Sequence, residues 1–129
     1  MAGQVEVMFN SDVASRSLGM ELLRTGPGTA EVQMRITRAM VNGHDIAHGG
    51  YLFMLADTAF ACACNSWGPV TVAAGAEIAF LAPVRLGDVL EARAEVRTRR
   101  GRAGIYDVTV RRGDDVVAEF RGRSMELRR

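Results

Sequence analysis

Hydrophobic and polar residues along the chain separate into one long apolar segment and several alternating ones. Residues 51–64 (YLFMLADTAFACAC) contain 12 apolar residues in 14 and consist mostly of helix-forming types, which predicts a helix buried on nearly every side. Asp12 is suited to cap a short surface helix over residues 13–20. Residues 38–50 contain three glycines and no consistent period, which is typical of a loop.

The other segments predict strands. Residues 30–37 alternate between apolar and polar side chains, which predicts a strand with one solvent-exposed face. Residues 70–81 are apolar on both faces, and this pattern predicts a central strand covered on both sides. From residue 90 onward, alternating segments are joined by arginine- and glycine-rich turns at 99–102 and 111–115, which predict hairpins. Several antiparallel strands after one apolar helix indicate an α+β fold with the sheet curled around that helix.

The composition indicates one soluble domain over residues 1–129, with 48% apolar and 24% charged side chains. Cys62 and Cys64 are the only cysteines, and they lie too close in sequence for an ordinary disulfide. A reducing, cytoplasmic location is therefore expected. The N-terminus has no signal-peptide pattern, and no apolar run approaches the ~20 residues that cross a bilayer, so no membrane partner is expected.

Charge is balanced over the whole chain but uneven along it. The net charge is +1, from 16 arginines, no lysine and 15 acidic residues, so nucleic acid is not an expected partner. Residues 1–84 carry a net −3 and residues 85–129 a net +4. This asymmetry favours an anionic ligand on the C-terminal half.

Asp57 is the one carboxylate in the middle of the apolar helix. Its neighbours one turn away include Phe53, Met54 and Phe60. Desolvation among such groups raises the pKa of a carboxyl, which suits a general base near neutral pH. The alternative is a structural role, in which Asp57 accepts a hydrogen bond from a buried N–H or reaches an arginine.

His48, Gly49 and Gly50 precede this helix, at the point where backbone N–H groups lack partners within the helix. Two glycines allow a ligand to approach the backbone closely, so this segment is a candidate oxyanion hole for a polarised carbonyl. The alternative is a flexible entry loop with a simple glycine cap. No metal site is expected, because the glycines disfavour a helix that aligns His44 with His48. A serine hydrolase is disfavoured because the GxSxG motif is absent.

Helix geometry limits how Gly50 and Asp57 work together. Seven residues separate them, which is roughly 10 Å along one helix. Both groups serve one carbonyl only if Asp57 faces the glycine loop of a second copy across a twofold axis. A homodimer with shared active sites is therefore expected, on condition that both roles are real.

The segment NGHDIAHGGYLFMLADTAFACACNS resembles the signature of hotdog-fold acyl-CoA thioesterases of the phenylacetic acid degradation (PaaI) family, and the likeness extends over about residues 10–125. The resemblance implies a hotdog fold, dimers often paired into homotetramers, and hydrolysis of aryl- or arylacetyl-CoA thioesters such as phenylacetyl-CoA or hydroxyphenylacetyl-CoA. It implies no cofactor, since coenzyme A is part of the substrate. Asp57 is then the nucleophile or general base, the Gly49 N–H polarises the carbonyl, and His48 and Asn42 position the loop, substrate or leaving thiolate.

Further residues are candidates for substrate binding. Gly50 and Phe53 flank the predicted oxyanion hole and base, and the arginine turn offers a dock for the CoA phosphates. A solvated hairpin turn is an equally good interpretation of Arg99, Arg100 and Arg102. Two other functions stay open: a hotdog dehydratase or hydratase, and a non-catalytic module that binds acyl-CoA or an aromatic ligand.

Overall fold

A computed structural model of the chain describes residues 3–128. Three α-helices are found there, and they are α1 (Gln4–Asn10), α2 (Val13–Ser17) and α3 (Gly49–Cys64). The six strands are β1 (Glu21–Gly26), β2 (Thr29–Arg35), β3 (Thr71–Phe80), β4 (Val89–Arg100), β5 (Ala103–Arg112) and β6 (Asp115–Glu126). A short 3₁₀ turn at Arg38–Met40 lies between β2 and α3. The predicted domain, 1–129, also includes residues 1, 2 and 129, which lie outside the described part.

The six strands form one antiparallel sheet in the order β1-β2-β4-β5-β6-β3. The sheet wraps around α3, which contacts β2, β4 and β5 most extensively. This is the hotdog arrangement, so the predicted fold class is confirmed. Among residues 3–128, no helix is long and apolar enough to cross a membrane.

The core lies between α3 and the concave face of the sheet. Leu55, Ala56 and Ala59 of α3 are fully buried there. The Phe60 ring lies 5.5 Å from the Tyr106 ring and 5.9 Å from the Phe120 ring, centroid to centroid. Near Phe60, α3 carries the small buried residues Ala56 and Ala59. Their short side chains let the helix lie close to the strands.

The predicted pattern of β4 and of its hairpins is confirmed. Leu90, Ala92 and Ala94 are completely buried while the residues between them are exposed. The β4–β5 and β5–β6 turns contain Gly101 and Gly113, each with φ of 60°. Only glycine adopts this left-handed conformation without strain, which explains the glycine in each turn.

Three other elements differ from the predictions. The prediction of a central strand at 70–81 was wrong, because within residues 3–128 β3 pairs only with β6 and forms an edge of the sheet. Helix α1 and strand β1 were not predicted from the pattern. Helix α2 begins after Asp12 as predicted but ends at Ser17, shortly before Gly19 takes the left-handed φ of 77°.

Candidate active site

The N-terminus of α3 presents backbone donors that have no acceptor of their own. Gly49 and Gly50 are the first residues of the helix, after His48 at the N-cap. No backbone carbonyl or side chain within residues 3–128 accepts the N–H of either glycine. The helix dipole adds partial positive charge at this end. These N–H groups can therefore bind an oxygen atom that gains negative charge.

The loop before α3 is held by specific hydrogen bonds. The Asn42 side-chain oxygen accepts the backbone N–H of His44 (2.9 Å) and of Ile46 (3.1 Å). The backbone N–H groups of Ala47 and His48 donate to the carbonyls of Val84 (2.7 Å) and Met40 (2.9 Å). The Asn42 side chain thus holds the backbone of this loop in one conformation. The His48 side chain is exposed and does not cap the helix.

A cavity of about 380 Å³ opens beside Gly49, with Ile46, Leu52, Phe80, Leu81 and Val84 among its lining residues. The Phe80 ring lies directly against Gly49, where a Cβ atom would be only 2.6 Å from its Cζ. No ionisable side chain lines the cavity. Its apolar lining therefore suits an apolar group on the carbon atom whose oxygen the α3 N-terminus would bind.

Asp57 lies half-buried in the middle of α3. Burial raises the pKa of its carboxyl above the ordinary value, and the negative charge of Asp12 raises that pKa further. No arginine or hydrogen-bond donor of the described residues lowers it. Within residues 3–128, Asp57 therefore has neither the buried N–H donor nor the arginine partner that a structural role would require. A carboxylate of this kind is a strong proton acceptor.

Asp57 lies on the side of α3 that the sheet does not cover. Phe53, Met54 and Ala61 on the same side are partly exposed, and Gly50 at its start is exposed. Phe53 also contacts the Phe120 ring edge-on, with 5.3 Å between centroids. This mostly apolar side of the helix, interrupted by one carboxyl, is partly exposed in the single chain.

A single chain does not bring all of the predicted site residues together. Asp57 follows Gly49 by eight residues, or about 12 Å along the helix axis. Arg99 and Arg102 lie at the opposite end of α3, around a small cleft that Cys64 and Trp67 also line. The Arg99 guanidinium stacks 3.8 Å from the Trp67 ring centroid, and Arg102 donates to the Glu126 carbonyl at 3.5 Å. Arg100 is exposed.

The two cysteines are core residues, as predicted. Both are buried and free, and burial raises the pKa of each thiol to about 12. At neutral pH they are protonated thiols with little nucleophilic character. Within residues 3–128, no group of three or more His, Cys, Asp or Glu side chains is arranged to hold a metal ion.

The sequence pattern missed two features near the site. Phe80 is one of many apolar residues in its strand, and nothing in the pattern indicates that its ring would contact Gly49. The hydroxyl groups of Ser15 and Thr58 are 2.8 Å apart, although 43 residues separate them in sequence. Such a contact is visible only in the tertiary structure.

Comparison with known proteins identifies the class to which this fold and site belong. Residues 44–119 match the family model described as the thioesterase superfamily. This segment includes the loop residues 44–48, α3 and Asp57, and it covers more than half of the chain. The chain therefore belongs to the thioesterase superfamily, a class of thioester hydrolases.

Individual relatives are consistent with this family. The chain is 45% identical over 121 residues to the acyl-coenzyme A thioesterase PaaI of Escherichia coli, covering 93% of this chain and 86% of PaaI. The structure of E. coli PaaI superposes with a TM-score of 0.93 and 42% identity, covering 95% of this chain and 90% of that one. A variant of the phenylacetic acid degradation protein PaaI from Thermus thermophilus superposes with a TM-score of 0.87 and 35% identity, over 90% of this chain and all of that one. The predicted resemblance to the PaaI family is confirmed.

Proposed function

We propose that this protein hydrolyses aryl- or arylacetyl-CoA thioesters, of the phenylacetyl-CoA or hydroxyphenylacetyl-CoA type, to the free acid and CoA. The observation that carries the proposal is the Asp57 carboxyl, which lies in an apolar helix face with a raised pKa and without a cationic partner among the described residues. The names of the E. coli and T. thermophilus relatives, an acyl-CoA thioesterase and a phenylacetic acid degradation protein, support the substrate class.

Asp57 acts on the thioester carbon in one of two ways. As a general base it takes a proton from water, whose oxygen attacks the carbon, and the C–S bond then breaks to release the CoA thiolate. As a nucleophile its own oxygen attacks the carbon and expels the thiolate, and water hydrolyses the resulting anhydride. Both routes need an ionised carboxylate, and the released thiolate takes up a proton to become the free thiol of CoA.

The Gly49 N–H is the proposed oxyanion donor, because it is unpaired within the described chain and lies at the positive end of α3. Asn42 holds the loop that carries this donor, and His48 positions the substrate or the leaving thiolate. Gly50 lets the thioester approach the helix end. The cavity that Phe80 lines beside Gly49 receives the acyl group, and its apolar lining favours an aromatic ring over a charged one.

We infer a homodimer in which Asp57 of one subunit faces Gly49 of the partner subunit. Strand β3 supports this inference, since its outer edge has no partner strand among residues 3–128. Val72, Phe80 and Leu81, in and just after β3, are 43%, 52% and 59% exposed, which is unusual for large apolar side chains in a sheet. Pairing of β3 with a second copy covers these side chains and the open side of α3. Two such dimers form the proposed homotetramer.

The arginine turn is the proposed dock for the CoA phosphates. Arg100 is exposed. Arg99 stacks on Trp67, and Arg102 donates to the Glu126 carbonyl. These two contacts hold the turn in one conformation. Guanidinium groups bind phosphate oxygens in a bidentate manner. No cofactor is proposed.

Release of free thiol from a panel of acyl-CoA thioesters tests the proposed function. We expect arylacetyl-CoA thioesters to give a larger kcat/KM than acetyl-CoA or long-chain acyl-CoA. Asp57→Asn is expected to lower kcat by ~10²-fold or more with little loss of thioester binding, because the amide retains the shape but accepts no proton.

The exposed Asp114 in the β5–β6 turn provides the matched control, because Asp114→Asn removes one carboxylate far from the site. Binding without thiol release by the wild-type protein would instead indicate a non-catalytic ligand-binding module. A kcat of Asp57→Asn above about a tenth of the wild-type value would exclude Asp57 from the chemical step.

A further inference from the structure

The Phe80 ring is held at the N-terminus of α3 by the strand that carries it. Phe80 pairs in register with Ala118 of β6, which is fully buried. Residues opposite each other on neighbouring strands project to the same face of a sheet, so the Phe80 ring points to the concave face. Just after it, the Leu81 N–H donates to the Val117 carbonyl at 2.8 Å. The backbone that carries the ring is therefore fixed to β6.

The tip of this ring contacts the residue that carries the proposed oxyanion donor. A Cβ atom on Gly49 would lie 2.6 Å from Cζ of Phe80, 3.0 Å from Cε1 and 3.1 Å from Cε2. Because these three atoms form the tip of the ring, the contact leaves the two ring faces free. Phe80 is 52% exposed and lines the cavity of about 380 Å³ beside Gly49. A ligand in that cavity therefore has ring surface available to it.

Among the described residues that line the cavity, Phe80 carries the one aromatic ring. The others are Gly49 and aliphatic residues such as Ile46, Leu52 and Val84. Aliphatic walls contact a saturated ring and an aromatic ring about equally well, because burial and dispersion depend on contact area. An aromatic pair gains additional energy from offset-stacked or edge-to-face geometry. Phe80 is therefore the lining residue that can distinguish an aryl group from an alkyl group of the same size.

We propose that Phe80 determines the acyl specificity of the enzyme, its ring packing against the aryl group of the substrate while the Gly49 N–H binds the thioester oxygen. This inference rests on the proposed function and names the residue that selects its substrate class. In an arylacetyl thioester, one methylene separates the carbonyl carbon from the aryl ring. An oxygen bound at Gly49 thus leaves the aryl group close to Phe80, where the centroids of aromatic pairs lie roughly 4.5–7 Å apart.

Two thioesters of matching shape isolate this effect. Phenylacetyl-CoA and cyclohexylacetyl-CoA have the same carbon skeleton and differ in the aromaticity of the ring. The measured quantity is the ratio of their kcat/KM values for release of free thiol. Phe80→Leu keeps an apolar side chain but removes the aromatic ring, and we expect it to lower this ratio about two- to tenfold. A ratio that stays at the wild-type value overturns the proposal.

Leu81→Ala is the matched control, because it shortens an aliphatic wall of the same cavity and leaves the Phe80 ring in place. It is expected to change both kcat/KM values by similar factors and to retain the wild-type ratio. A ratio that falls equally in Leu81→Ala and Phe80→Leu would mean that cavity volume selects the substrate, which also overturns the proposal. Phe80→Met repeats the test with another apolar, non-aromatic side chain if Phe80→Leu does not fold.

A binding measurement separates this inference from the proposed hydrolysis. In Asp57→Asn with bound ¹³C-labelled phenylacetyl-CoA, we expect NOEs between the ligand ring and the Phe80 ring, whose signals are assigned by their loss when Phe80→Leu is added. If calorimetry confirms binding and these NOEs are absent, the inference about Phe80 fails. If the NOEs are present but the wild-type protein releases no thiol from either thioester, Phe80 still recognises the aryl group and the proposed hydrolysis fails.

Discussion

A carboxyl whose pKa is raised by the fold binds its proton more tightly in the folded state than in the unfolded state. Between the unfolded pKa and the higher folded pKa, the folded state therefore holds more protons, and stability falls as pH rises through this window. Asp57 fits this case, since burial and Asp12 both raise its pKa. Above this window the ionised Asp57 lowers the stability of the fold, as expected of a group that is proposed to act in catalysis.

Asp57→Asn is accordingly expected to be more stable than the wild-type protein at neutral pH, because the amide carries no charge to desolvate. The Tm difference between the two proteins should shrink as the pH falls toward the unfolded pKa of a carboxyl. Thermal unfolding followed by circular dichroism over a pH series measures this difference. A variant that is less stable than wild type at neutral pH would mean that Asp57 makes a stabilising contact.

Single residues were predictable where their chemistry conflicts with their surroundings. Asp57 stands out as a charge in an apolar helix, and Gly49 as a glycine at a helix start. Ser15 and Thr58 have no such conflict in the sequence, because hydroxyl groups are common in helices and at caps. The 2.8 Å contact between their hydroxyl groups is created only by the folded chain.

At the scale of elements, the packing of α3 on β6 depends on one missing side chain. Gly122 in β6 faces the Phe60 ring, and a Cβ atom there would lie 2.8 Å from three of the ring carbons. The ring is only 1% exposed and lies between Tyr106 and Phe120, so it has no free space into which to move. Gly122→Ala is expected to lower the free energy of unfolding by about 1–3 kcal/mol through overpacking.

Chemical denaturation with a constant m-value measures this loss. Gly43→Ala is the matched control, since no atom lies within 4 Å of the added Cβ at that position. Equal midpoints for the two variants would show that α3 moves away from β6 without cost.

The strands show why the hydrophobic pattern predicts that a segment is a strand more easily than it predicts the position of that strand in the sheet. In β4 the alternation of Leu90, Ala92 and Ala94 with charged residues reports directly which face is buried. In β3 both faces are apolar, and the pattern does not reveal whether the covering atoms belong to the same chain. An edge strand that pairs with a second copy of the chain has the same apolar pattern as a central strand.

At the scale of the whole molecule, the proposed shared-site dimer predicts that two inactive variants restore activity to each other. Asp57→Asn lacks the proposed base, and Gly49→Pro lacks the proposed donor N–H. The backbone of His48, with ψ of 137°, suits a following proline. In a mixed dimer one site carries both defects and the other carries neither, so random pairing should give roughly a quarter of wild-type activity.

Mixing under conditions of subunit exchange, confirmed by mass spectrometry, tests this expectation. Gly49→Ala is the control for the Phe80 contact, because it adds a Cβ against the ring but keeps the N–H. If exchange is confirmed but activity stays at the level of the two parent variants, the shared-site dimer is wrong. Asp57 and Gly49 would then serve separate roles.

Trp67, just after the C-terminal end of α3, is an intrinsic fluorescent probe of the arginine turn. Trp67 is the only tryptophan in the chain; its Nε1 donates to the Tyr106 hydroxyl at 2.9 Å, and the Arg99 guanidinium covers its ring. A cation stacked on an indole influences its emission, so intrinsic fluorescence follows the position of this one arginine. A phosphate that draws Arg99 away from the ring changes the emission spectrum, and docking of CoA at the arginine turn becomes observable without any label.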